Sequence, residues 1–134
     1  MASLTVIEGI GDAYEATLKE HGISSVGALL EQGATKNGRS QIAEKTGISE
    51  KLVLKWTNHA DLMRIKGVGG EYSELLEAAG VDTVPELATR NAANLHAKLV
   101  EVNGEKQLVR NVAAASQVAD WVEQAKSLPR VIQY

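Results

Sequence analysis

Ile65-Lys66-Gly67-Val68-Gly69-Gly70 is the stretch that decides how this chain folds, and Ile7-Glu8-Gly9-Ile10-Gly11-Asp12 is its twin near the start. Both read as the tight turn of a helical hairpin. Glycine has no Cβ, so each G-x-G allows left-handed or cramped backbone and a close approach to another surface. The residue between the glycines, Ile10 or Val68, is apolar and is expected to point into a core. The N–H groups after the second glycine then open a helix. Unpaired donors at the positive end of a helix dipole form a small anion site.

Composition bounds the remaining choices. A chain of 134 residues is long enough to bury a real core. With no Phe, two Trp and three Tyr, that core must be built from Ala, Leu, Val and Ile. The absence of cysteine removes disulfides, thiolate metal sites and cysteine catalysis, and it suits a reducing cytoplasm. No apolar run approaches the roughly 20 residues that span a bilayer. Met1-Ala2-Ser3-Leu4 has no basic or long apolar segment, so no signal peptide and no membrane partner are expected. The formal net charge of −3 argues against a strong polyanion binder.

Taken in order, the periodicity predicts an all-α chain of eight or nine short helices. A lead-in over Ala2 to Ile7 is extended or poorly helical. Ala13, Tyr14, Thr17 and Leu18 mark one face of a helix that Gly22 stops. Ser25 caps a helix through Leu30, and a loop over Ala34 to Gly38 leads to a short helix at Ser40 to Lys45. Ser49 caps the longest helix, Glu50 to Arg64, with Leu52, Val53, Trp56, Ala60 and Met63 inward. After the second turn, Tyr72, Leu75, Leu76 and Ala79 form a face. Thr83-Val84-Pro85-Glu86 reads as a capping box with proline in the first turn. A helix over Asn94 to Val102 is expected to break at Asn103-Gly104. The last helix runs from Ala115 to Lys126, with a frayed tail after Pro129.

The halves overlay. Ile7-x-Gly9-Ile10-Gly11-x-x-Tyr14 matches Ile65-x-Gly67-Val68-Gly69-x-x-Tyr72, and Gly22-Ile23-x-Ser25-Val26 matches Gly80-Val81-x-Thr83-Val84. Trp56 matches Trp121 after an insertion around Glu105 to Val112. Two repeats, 1–60 and 61–134, sharing one core is the economical reading. The G-x-G turn with an apolar centre resembles helix-hairpin-helix proteins. The doubled unit, with Tyr after each turn, resembles the bacterial domain-of-unknown-function family numbered 4332, over nearly the whole chain. That family brings no activity with it. The wider helix-hairpin-helix class implies sequence-independent DNA contact, through hairpin amides and a neighbouring basic residue.

On that reading the candidate nucleic-acid site is Arg64, Lys66, Gly67, Val68, Gly69 and Gly70, although Glu71 follows it. The first turn lies among Glu8, Asp12 and Glu15 and is expected to be a packed hairpin only. Tyr14, Tyr72, Trp56 and Trp121 read as core side chains rather than stacking platforms. His21, His59 and His96 read as surface or helix-end residues, and Ser49 and Ser116 as caps. No metal-ligand spacing, phosphate loop or nucleophile motif stands out, so neither enzymatic activity nor a cofactor is expected. Two functions remain: weak, non-specific contact with double-stranded DNA through the second hairpin, or a module that binds a protein or itself.

Overall fold

The computed structural model describes residues 3–134. It is all-helical among them, with eight α-helices and no strand. They are α1 Asp12–Glu20, α2 Val26–Gln32, α3 Lys36–Thr46, α4 Glu50–Leu62, α5 Gly70–Ala78, α6 Val84–Ala88, α7 Ala92–Lys106 and α8 Ala115–Ser127. The chain divides into two compact units. One comprises Met1–Asp61 with Val131–Tyr134, the other Leu62–Arg130.

In the first unit the lead-in is a 3₁₀ turn, Leu4–Val6, and Ala2 lies outside the described residues. Leu4 and Ile7 are fully buried there with Leu18, Leu29, Val53 and Trp56. Helix α1 buries only Leu18; Ala13 and Tyr14 are exposed. It ends in a reversed cap: Gly22 takes φ +83°, and the Ile23 N–H reaches back to the Leu18 carbonyl at 2.9 Å. Ser25 caps α2 by accepting from the Ala28 N–H at 3.1 Å.

Helix α3 begins earlier than the loop expected over Ala34 to Gly38. Thr35 is the cap and accepts from the Gly38 N–H at 3.0 Å. Gly38, expected in the loop, lies inside the helix and serves close approach. A Cβ there would collide with the Gln32 carbonyl. Gly47, at φ +75°, closes the helix as expected.

Ser49 starts α4, accepting from the Leu52 N–H at 3.2 Å. The helix stops at Leu62 rather than Arg64. Trp56 to Leu62 are all buried, whereas Met63 is only partly so. His59 lies in the last turn of α4, as its helix-end reading has it, but it is fully buried, which corrects the surface alternative.

The tail does not fray. It belongs to the first unit, with Ile132 buried and the Gln133 N–H donating to the Ala34 carbonyl at 2.7 Å.

The second unit builds its core from Leu62, Ile65, Leu75, Leu76, Val81, Val84, Leu87, Leu95, Leu99, Val118 and Trp121, among others. The inward face expected for α5 is present, with Tyr72 half-buried. The capping box before α6 is rearranged. Thr83 makes no side-chain cap; Glu86 accepts from the Asp82 N–H at 3.3 Å and from the Thr83 hydroxyl at 3.4 Å.

Helix α7 runs through Asn103-Gly104 to Lys106 and closes at Gln107, whose φ is +52°. Asn103 does not break the helix because its amide works outward. It accepts from the Val109 N–H at 2.9 Å and donates to the Val109 carbonyl at 3.0 Å. The cap of α8 is not Ser116 but the Gln117 side chain, which accepts from the Ala114 N–H at 2.9 Å.

Candidate nucleic-acid interface

The two turns repeat their local geometry. In the first, the Ile7 N–H bonds the Leu4 carbonyl and the Ile10 N–H the Ile7 carbonyl, each at 3.1 Å. In the second, Ile65 bonds Leu62 and Val68 bonds Ile65, again at 3.1 Å. Leu4 and Leu62 are thus equivalent, a match that the glycine pattern did not reveal. Gly9 at φ +96° and Gly67 at φ +97° make the reversal. Such backbone disfavours any residue with a Cβ.

A tryptophan lies over each reversal. The Trp56 indole nitrogen is 3.2 Å from where a Cβ on Gly9 would stand, and that of Trp121 is 3.0 Å from the same point on Gly67. Each tryptophan also packs against the tyrosine after the turn. Tyr14 meets Trp56 edge-on at 5.0 Å, and Tyr72 meets Trp121 at 5.2 Å. Both tryptophans are buried, as expected. Tyr14 is 39 % exposed, so its reading as a core residue is corrected: its ring covers Trp56 from outside. The Tyr72 hydroxyl donates to the Asn111 carbonyl at 2.8 Å.

The second glycine of each pair has a different task. Gly11 (φ −91°) and Gly69 (φ −105°) are extended N-caps of α1 and α5, with open space where a Cβ would be. Neither carries a side chain that could accept from its helix's first amides. Those N–H groups are left for solvent or an anion.

The structure brings the six predicted residues of the second turn together, but they differ in availability. Val68 is buried and serves the core. Gly67 makes the reversal. Gly69 and Gly70 cap and open α5, so their surroundings carry the anion geometry. Lys66 is exposed. Its backbone is held in both directions by Gln124 of α8, which accepts from the Lys66 N–H at 2.9 Å and donates to the Lys66 carbonyl at 3.2 Å. Arg64 is half-buried and donates to the Pro129 carbonyl at 2.7 Å, which gives it a structural task. Sequence reasoning missed Gln124 and Pro129. They lie 58 and 65 positions away, and no local pattern marks them.

The first turn carries Glu8 and Asp12, both exposed, and Glu15, which accepts from Ser3 at 2.9 Å and pairs with Lys19 at 3.7 Å. Among the described residues, no three His, Asp or Glu side chains are placed to hold a metal ion. None of the described helices is long and apolar enough to cross a membrane.

No curated protein and no solved structure is similar enough to this chain to count as a match. A family does match, over residues 8–128, from just after the first 3₁₀ turn to just beyond α8. By that match the chain belongs to the family described as a domain of unknown function, DUF4332.

Proposed function

We propose that the two units are tandem helix-hairpin-helix repeats, and that the chain is a non-enzymatic binding module acting in the cytoplasm. Its second hairpin makes weak, sequence-independent contact with the phosphate backbone of double-stranded DNA. The observation that carries this reading is the start of α5. A glycine cap leaves its first amides without a side-chain partner, beside the exposed Lys66, on a turn braced by Gln124. A phosphate oxygen would accept from those amides while Lys66 supplies charge. Arg64 supports the turn through Pro129 and adds field rather than a mobile contact.

So few contacts imply a shallow salt dependence. The slope of log K against log salt should lie near −1 to −3, at about −0.9 per neutralised phosphate. Fluorescence anisotropy with labelled duplex at low salt is the test. Lys66→Glu should abolish binding, and Asp12→Lys in the first hairpin should strengthen it. Binding that ignores both reversals would end the nucleic-acid reading.

A second reading, a module that binds a protein or its own copy, draws support from the first hairpin. There Glu8 and Asp12 flank the turn, and Val6 and Tyr14 expose apolar surface, at 42 % and 39 %. Sedimentation of the same samples without DNA decides it: a concentration-dependent mass favours self-association.

A further inference from the structure

In the first unit, basic side chains gather away from the acidic hairpin. A cleft of about 390 Å³ opens where the first turns of α3 and α4 meet the end of the chain, lined by Lys36, Arg39, Glu50, Lys51, Leu54 and Tyr134. That volume lies in the range of small-molecule sites.

Three cations converge there, and two of them, Lys36 and Lys51, sit where a helix start disfavours positive charge. Lys36 is the first residue of α3 and Lys51 the second of α4. At a helix start the dipole repels a positive side chain; lysine belongs at the other end. Arg39 is 95 % buried (5 % exposed), and its two hydrogen bonds go to carbonyls, Gly33 at 2.8 Å and Gln133 at 2.9 Å. Carbonyls satisfy its donors but carry no counter-charge, and burying a charge is costly. Burial accordingly pulls the Arg39 pKa down, with Tyr134 and Glu50 opposing. Glu50 shares the lining with the three cations. Local rules broken together at one place point to a ligand rather than to stability.

The rest of the lining says what else that ligand carries. The Tyr134 ring stands over the Arg39 guanidinium at 5.7 Å, with its hydroxyl 3.2 Å from Asn58 Oδ1, and Leu54 adds an aliphatic wall. We propose that this cleft binds a small organic anion: a phosphate or carboxylate group held by Lys36, Lys51 and Arg39, carried on a flat apolar body that packs on Tyr134 and Leu54. The site belongs to the first unit and stands independently of any DNA contact by the second hairpin.

The test is a titration of the full chain, followed by amide chemical shifts, with phenyl phosphate, inorganic phosphate and phenol as separate probes. Phenyl phosphate at millimolar concentration should shift residues 36, 39, 51, 54 and 134, and bind more tightly than either fragment. Lys36→Glu with Lys51→Glu should weaken it at least about tenfold. The same pair should hold or raise Tm, because glutamate suits a helix start. Should that pair misfold, Lys36→Gln with Lys51→Gln removes the charge more gently and must still weaken binding. Shifts elsewhere, no saturation, or charge variants that bind like the parent would overturn the proposal. Inorganic phosphate binding as tightly as phenyl phosphate would remove the apolar body; phenol doing so would remove the anion.

Discussion

At the scale of single residues, the two glycines of each turn are not alike. Gly67 combines φ +97° with Trp121 at 3.0 Å, so a side chain there meets both strain and a wall. Gly69 has ordinary extended backbone and open space. Gly67→Ala should cost roughly 1–3 kcal/mol, while Gly69→Ala should leave stability nearly unchanged. Thermal melts of the two variants check this, and equal losses would contradict the division of labour. The tryptophans act at the same scale. Trp56→Ala and Trp121→Ala should each cost about 3–5 kcal/mol, as emptying a large buried aromatic site does. A variant melting like the parent would show that its tryptophan anchors nothing.

Among the elements, two departures from sequence expectation have a local physical cause. Gly38, expected in a loop, and Asn103-Gly104, expected to break a helix, lie inside α3 and α7. Position 38 needs a glycine because the Gln32 carbonyl leaves no room for a Cβ. Asn103 stays helical because its amide finds the Val109 backbone six positions on. Asn103→Ala would leave the partly buried Val109 N–H and carbonyl unmatched, a loss of about 1–3 kcal/mol. Hydrogen exchange should show it first at Val109. What was legible is what depends on near neighbours: the helical periods, the caps at Ser25 and Ser49, the stop at Gly47, and the glycine turns with their apolar centres. The illegible part depends on distant partners. Gln124 bracing Lys66, Pro129 holding Arg64, and the tail residues Gln133 and Tyr134 at Arg39 all join residues far apart in sequence.

Taken as a whole, the molecule is two units of related local design with unequal chemistry. The first turn keeps the glycine reversal and the tryptophan but surrounds them with carboxylates; the second keeps Lys66. The tail, expected to fray, instead returns to the first unit. Ile132→Ala should cost that unit roughly 2–5 kcal/mol, the usual penalty for emptying a buried aliphatic site. Calorimetry of the full chain measures it, and a loss near zero would place the tail outside the fold.

The route of the chain sets an order of assembly during synthesis. Residues 62–130 are contiguous and can close as soon as they have left the ribosome. The first unit is made earlier but must wait, because Val131–Tyr134 follow the whole of the second unit. Until they arrive, the Ala34 carbonyl and one arm of Arg39 lack their partners. The half that is translated first is therefore the half that is finished last, and a chain cut before Val131 would leave it open.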